Sequence, residues 1–223
     1  MELYHGSFYR IEHPYYGGGK KNNDYGSGFY CTVSPDMARE WSVDSKRDGY
    51  LNRYSLELEG LQQLDLTDGS YHILNWLAIL LENRYFNTST PLAAEARRYI
   101  LQEFRPEYES ADLIIGYRAD DSYFSFAQDF INNEISYRQL NEAMHLGKLG
   151  VQYMLHTPEA FRHLSFLEAE VVDHDLWYPR KELRDRMARR KYADMNKEKW
   201  QKGDIYMLTI LEQEIKSHDP RLR

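Results

Sequence analysis

The side chains that could do chemistry in this 223-residue chain are few and widely spaced. His5-Gly6-Ser7 stands near the start, a glycine-flanked aromatic run Gly26-Ser27-Gly28-Phe29-Tyr30 follows, Trp41 comes next, and Asp120-Asp121 sit in the stretch Tyr117 to Ser122. Metal chemistry does not fit these spacings. Eight scattered His and one Cys form neither HExxH nor CxxC, so no metal is expected. The Gly17-Gly18-Gly19-Lys20 run lacks the GxxxxGK[ST] spacing and no helix start follows it, so it reads as a flexible turn. No GxGxxG follows a strand, which argues against hydride transfer on a doubly wound sheet. What remains is a set suited to gripping an organic ligand, in a chain with 19 Tyr, each a flat apolar body with a polar tip.

Those residues need elements to hold them. Glu2 to Tyr4 reads as a short strand feeding a turn, and Ile11 to Lys20 as a loop. Gly28 to Val33 has the aromatic and β-branched character of a strand. Ser34-Pro35-Asp36 then supplies a helix start: an N-cap, a proline at the first position and an acid suited to the dipole, with the helix running through Trp41. Tyr50 to Leu66 alternates as a strand or hairpin. His72 to Asn83 and Leu92 to Phe104 have helical spacing and form a helical insert. Asp112 to Gly116 is an apolar strand, Phe124 to Ile131 and Tyr137 to Leu146 are helices, Val151 to Leu155 is a strand, Ala160 to His163 a helical turn, and Ser165 to Val172 the last strand. Leu183 to Lys202 and Ile205 to Lys216 read as terminal helices parted by Gly203.

Composition sets outer bounds. Hydrophobic residues at 42% supply a core and charged residues at 28% a soluble surface. The lone Cys31 cannot close an internal disulfide, which suits a reducing compartment, and it reads as a buried strand residue. The longest apolar stretch, Ile73 to Leu81, is broken by Asn75 and falls short of the roughly 20 residues that cross a bilayer. No leader precedes the first strand, so a cytoplasmic location without membrane attachment is the expectation. The net charge of -7 is uneven. Arg180 to Lys199 holds nine Lys or Arg against four Asp or Glu, a local +5 that leaves about -12 elsewhere. Within it Arg184, Arg189, Arg190 and Lys191 are candidates for meeting nucleic acid or an acidic partner, with a solvated helix face as the plainer alternative.

The order of a strand with His-Gly, a strand with GxGFY, a helix, a helical insert and late strands resembles the ADP-ribosyltransferase superfamily, in the branch with a His-Tyr-Glu signature. Diphtheria-toxin-like and poly-ADP-ribose-polymerase-like enzymes belong there. The runs LYHGS, DYGSGFYCT, LDLTD with YHILNWLAILLENR, and GYRADDSYFSFAQDF with MHLGKLG look like a bacterial group within it whose members are often encoded in toxin-antitoxin pairs. The likeness covers about residues 3 to 172. It implies an α+β fold, an ADP-ribosyltransferase-like split β-sandwich of two packed, antiparallel-leaning sheets with a helical insert and C-terminal helices. Residues 1-173 would form that domain and 174-223 a helical extension.

The resemblance further implies a cytoplasmic transferase that consumes NAD+ as substrate and modifies a protein, RNA or DNA acceptor, with a cognate antitoxin as partner. Breaking the nicotinamide bond is a glycosyl transfer through an oxocarbenium-like state, which needs the dinucleotide held bent and its leaving group fixed more than it needs a strong base. His5 would hydrogen-bond a ribose hydroxyl, the Gly6 backbone would approach the nicotinamide amide, Tyr30 would stack on the ring and Trp41 would add a second aromatic wall, with Ser7 and Gly28 beside them. A turn histidine and two core aromatics are the plainer readings. Relatives carry a catalytic glutamate where this chain reads Gly150-Val151-Gln152-Tyr153. A glutamine can bind the ribose hydroxyl but cannot offset the charge growing on the sugar. Three readings stay open: Gln152 suffices, another carboxylate such as Asp120 or Asp121 substitutes, or the chain is a catalytically inactive binding module on the same fold. Asp120 and Asp121 read equally as a helix-capping turn.

Overall fold

The structure, a computed structural model, describes every residue except 120, 145, 147–149, 196, 198, 199 and 223, and describes no side chain at 121–123. Seven strands form one open, mixed sheet in an α+β fold: β1 (Glu2–Ser7), β2 (Phe29–Thr32), β3 (Gly49–Leu56), β4 (Gln63–Asp65), β5 (Leu113–Tyr117), β6 (Val151–Leu155) and β7 (Leu164–Val172), in the order β4-β5-β6-β2-β1-β3-β7. The sheet is continuous but unevenly knit. β3 and β1 pair from Glu2↔Ser55 to Ser7↔Tyr50, and β5 and β6 pair along their whole length. β1 and β2 meet only at Tyr4↔Thr32. That register would continue through His5↔Cys31 and Gly6↔Tyr30, yet the strands part there. In place of two packed sheets there is one sheet in two halves, β4-β5-β6-β2 and β1-β3-β7, hinged at a single pair.

Strand alternation sorts the core onto two faces. Leu3, Cys31, Leu113, Ile115 and Leu155 point to one face, packed by the short helix α6 (Pro158–Arg162), and burial pushes the Cys31 thiol well above its usual range. Ile114 and Met154 point to the other, under α2 (Ile73–Asn83), α3 (Pro91–Phe104), α4 (Asp121–Ile131) and α5 (Tyr137–Met144). Every residue from Ile73 to Leu81 in α2 is buried, so its apolar side chains each contribute about 1.5–3 kcal/mol. Asn75 is tolerated among them because its Nδ2 donates to Phe104 O at 2.8 Å and its Oδ1 accepts His72 N–H at 2.9 Å. The C-terminal α7 (His174–Met195), α8 (Met207–Glu212) and the 3-10 turn Pro220–Leu222 add Ala188, Tyr192, Met195, Met207, Ile210 and Leu222 to this same cluster.

Two expectations need correction. Tyr50 to Leu66 is not a hairpin: β3 lies beside β1 and β7, while β4 crosses to the far edge and pairs parallel with β5. The terminal helix begins at His174, nine residues before the expected Leu183, with Pro179 inside it. An Asp173 carbonyl accepting Trp177 N–H at 3.1 Å starts it, and Trp177 and Tyr178 pack against Ala38, Val43, Leu51 and Val172.

Helix α1 (Pro35–Ser42) starts as its sequence dictates, with Ser34 Oγ accepting Met37 N–H at 3.3 Å. It crosses β1 so closely that a Cβ on Gly6 would lie 1.9 Å from Ala38 O. Gly6 is therefore a packing requirement of the β1–α1 crossing. Gly6→Ala is expected to lower stability by about 1–3 kcal/mol through overpacking, read as a fall in the urea midpoint; an unchanged midpoint would mean that helix and strand are not in contact.

A candidate functional site at the split of the sheet

Where β1 and β2 part, a cavity of about 680 Å³ opens, within the roughly 300–1,000 Å³ of ligand clefts. Its walls come from distant stretches: His5, Phe29, Tyr30, Trp41 and Gln152 from the frame, Tyr15, Gly18, Gly19, Lys20 and Asp24 from the loop before β2, Arg84 after α2, Arg118 after β5, and Lys181, Asp185 and Arg189 from α7.

His5 occupies the gap in the ladder. Its Nδ1 lies 2.6 Å from Tyr30 O. A carbonyl only accepts, so Nδ1 carries the hydrogen and, in the neutral ring, Nε2 is left as an acceptor. Burial lowers the His5 pKa, against the raising effect of the Tyr30 carbonyl, and so favours that neutral form. The ring stacks on Phe29 with centroids 4.4 Å apart.

Tyr30 is fixed from its far end. Its hydroxyl donates to Gly26 O at 2.7 Å and accepts Tyr25 N–H at 3.1 Å, and burial raises its pKa. The phenol is thus held protonated and the ring forms a wall. Trp41 stands on α1 with the Arg118 guanidinium 4.5 Å over its ring.

Gln152 and Asp24 are both buried and in contact. Gln152 Nε2 donates to Asp24 Oδ2 at 3.0 Å and to Tyr117 O at 3.2 Å. Asp24 also accepts Ala119 N–H at 2.8 Å and Arg84 Nη1–H at 3.1 Å. Burial raises the Asp24 pKa, while the Ala119 amide, Arg84, Gln152 and Arg118 pull it down.

Of the residues expected at the site, His5, Gly28, Tyr30, Trp41, Gln152 and Arg189 line this cavity, and Gly6, Ser7, Arg184, Arg190 and Lys191 are not among its walls. Ser7 Oγ accepts Tyr9 N–H at 3.2 Å. Gly28 has a packing reason as well, since a Cβ there would meet Met154 Sδ at 2.1 Å. Arg184 is half-buried and bonded to Glu40 Oε2 on α1 at 2.7 Å, whereas Arg190 and Lys191 are exposed. Asp120 lies outside the described residues, and Asp121 opens α4 with its side chain outside them.

Sequence reasoning missed Asp24, Arg84 and Arg118, three charges set among apolar or turn residues, and Lys181 and Asp185, which the four-residue spacing puts on one helix face with the expected Arg189. The loop Gly17 to Lys20, read as a flexible turn, forms part of the cavity roof. Among the described residues, Lys20, Arg84, Arg118, Lys181 and Arg189 outnumber Asp24 and Asp185 on these walls, a balance that favours an anion. Among the described residues one cluster has metal-ligand geometry, the surface group Asp48, Asp173 and His174, where His174 Nδ1 is already bonded to Asp48 at 2.6 Å.

The fold is α+β, with a cavity at the split of an open sheet. Residues 1–166 match the family model described as "Protein of unknown function (DUF3990)", and the chain belongs to that family. No curated protein and no solved structure matches the chain. No described helix is long and apolar enough to cross a membrane.

The lowered His5 pKa links the site to pH. As pH falls below about 6.5 the unfolded chain takes up a proton that the folded imidazole resists, so stability declines on acidification. The melting temperature of the wild type should fall more steeply from about pH 7 to 5 than that of His5→Asn, whose amide can donate to Tyr30 O without titrating. Equal slopes would mean that His5 does not fold as the neutral ring.

Proposed function

We propose that this protein is an NAD-dependent mono-ADP-ribosyltransferase that modifies a macromolecule, the toxin of a bacterial toxin-antitoxin or anti-phage pair. The observation that carries the reading is the convergence of His5 and Tyr30 on one cavity at the parted strands, with Gln152 on the neighbouring strand β6.

Each wall has a task in that reaction. His5 Nε2 accepts a ribose hydroxyl, and the Tyr30 ring, immobilised by its tied hydroxyl, stacks on the nicotinamide with Trp41 as a second aromatic wall. Lys20, Arg84, Arg118, Lys181 and Arg189 offset the pyrophosphate charge. Gln152 Oε1 accepts a hydroxyl of the nicotinamide ribose. The C1′–N bond breaks with its electron pair passing to the ring nitrogen, which loses its positive charge, and the acceptor's nucleophile bonds to C1′ and gives up a proton. Holding the dinucleotide bent and dry supplies most of the acceleration.

The acceptor is a protein or a nucleic acid. The exposed Arg190 and Lys191 follow Arg189 on other faces of α7, outside the cavity, and their surface charge suits a polyanion or an acidic antitoxin. NAD supply and such a partner place the activity in the cytoplasm. The uncharged Gln152 favours one rival, a binding module on the same frame without catalysis. Purified protein incubated with labelled NAD and a cell lysate separates them: label transfer or nicotinamide release is expected, and NAD binding without either would establish the module.

The stacking role has its own test. Tyr30→Phe keeps the ring but loses its tie to Gly26 O and Tyr25 N–H and should weaken NAD less than about tenfold, while Tyr30→Ala should weaken it about 10- to 100-fold, on the order of 1.4–2.8 kcal/mol. Equal affinities for the alanine variant and the wild type in calorimetry would remove Tyr30 from the site.

A further inference from the structure

The carboxylate missing at position 152 has a neighbour that sequence reasoning did not reach. Asp24 is 5% exposed and Gln152 is 3% exposed, and both line the cavity. A glutamine has two N–H hydrogens and one oxygen to place. Here Nε2 donates to Asp24 Oδ2 at 3.0 Å and to Tyr117 O at 3.2 Å, and both partners are oxygen acceptors. A flipped amide would lay Oε1 against those two oxygens and forfeit both bonds. The orientation is therefore fixed, and Oε1 is the atom left for a ligand.

We propose that Asp24 and Gln152 act as one unit, in which the buried carboxylate holds the carboxamide with Oε1 turned to the cavity and polarises it, so that a glutamine backed by an acid replaces the glutamate of a transferase. This rests on the transferase reading and deepens it by naming the acid. Asp24 is a positioning residue: it reaches the ligand through Gln152.

Three features support the unit. Asp24 is anchored independently of Gln152, by the Ala119 amide at 2.8 Å and Arg84 at 3.1 Å, so it can serve as the fixed member. Its charge adjoins the amide nitrogen in a buried site, where hydrogen bonds in series strengthen one another and shift negative charge toward Oε1. The Tyr117 carbonyl that takes the second amide hydrogen is held in turn by Tyr25 Oη–H at 2.6 Å and Trp76 Nε1–H at 3.0 Å. A glutamate at 152 would face the same two acceptors with no hydrogen to offer, and beside Asp24 one of the two acids would have to take up a proton. Position 152 is an amide because position 24 is an acid.

The test is a reciprocal swap. Asp24→Asn, Gln152→Glu and the double variant carrying both are compared with the wild type by NAD calorimetry and by thermal unfolding from about pH 5 to 8. Each single change should weaken NAD at least tenfold at neutral pH. The melting temperature of Gln152→Glu should rise relative to the wild type as pH falls and the acid pair takes up its proton. The double variant, with the amide at 24 and the acid at 152, relieves the acid–acid repulsion but leaves the Tyr117 carbonyl and the Ala119 amide without their bonds, so it should lose less affinity than the two single losses combined and melt above Gln152→Glu at neutral pH. Additive losses in the double variant, or a Gln152→Glu protein that binds NAD as well as the wild type at neutral pH, would overturn the unit while leaving the transferase reading intact. A wild type that binds no NAD would overturn that reading and with it the ligand-facing half of the unit, whereas coupled or additive melting temperatures would still decide whether Asp24 and Gln152 are linked. A second measurement needs no substitution: the Gln152 side-chain amide hydrogens should exchange slowly with solvent in nuclear magnetic resonance spectra of the ligand-free protein, and fast exchange would overturn the pairing.

Discussion

The parting of β1 from β2 after one ladder pair is the constraint on which the site depends. Antiparallel strands that separate leave backbone groups without their ladder partners, and such groups are costly unless something else meets them. At Tyr30 the partner is the His5 imidazole, whose Nδ1 takes the carbonyl at 2.6 Å. One bond thereby does three things. It satisfies the carbonyl, fixes the imidazole tautomer and holds the strands far enough apart for a cavity. Alternation along the strands would place His5 with Leu3 on one face and Tyr30 with Met154 on the other, and only a gap between the strands lets both reach the same space.

A gap of this kind needs a roof, and the roof is tied down by buried polar groups. Asn52, fully buried on β3, accepts Ile11 N–H at 2.8 Å and donates to Tyr9 O at 3.1 Å and His5 O at 3.3 Å. Tyr54 Oη donates to Ile11 O at 2.5 Å. At the other end of the loop Tyr25 and Asp24 fasten it to the end of β5 and the turn beyond. The segment between is held by smaller contacts, Tyr16 edge-on to Phe161 and Gly19 so close to β2 that a Cβ there would lie 2.3 Å from Gly28 O. A neutral bond of this sort is worth only about 0.5–1.5 kcal/mol net, but leaving a buried partner unmet costs more, so these side chains choose one loop path over others.

What the sequence disclosed follows the range of the interactions involved. Ser34-Pro35-Asp36 announced α1 because capping is settled within four residues, and α2 was announced by the helical spacing of Ile73, Leu74, Leu77, Leu80 and Leu81. β4 was misread as one arm of a hairpin because its partner, β5, lies about fifty residues away, beyond any local pattern. The early start of α7 was hidden by Pro179, tolerated where Trp177 and Tyr178 find an apolar seat on α1 and β3. His5, Tyr30, Trp41 and Gln152 were picked out by the order of the His-Gly and Gly-x-Gly-Phe-Tyr runs rather than by residue type, since the chain holds 19 Tyr, and they line one cavity. Asp24 stood in full view beside Tyr25-Gly26 but looked like a turn residue. Only the arrival of Arg84, Ala119 and Gln152 from other parts of the chain distinguishes it from one.

The cavity is also divided in a way that the family match makes visible. Its frame, from His5 through Gln152, lies within residues 1–166, while Lys181, Asp185 and Arg189 lie beyond them on α7. That helix is held by Arg184 on Glu40 and by Tyr192 stacked on Phe126 with centroids 3.7 Å apart. The bonds described above at the β1–β2 junction, the Tyr30 hydroxyl and the Asp24–Gln152 contact are made by residues of the frame and not by Lys181, Asp185 or Arg189. A fixed frame that grips one part of a ligand and a separately anchored charged wall that meets another part can vary independently. On the transferase reading proposed above, the groups that act on the dinucleotide would belong to the sheet and those that select the acceptor to the helix.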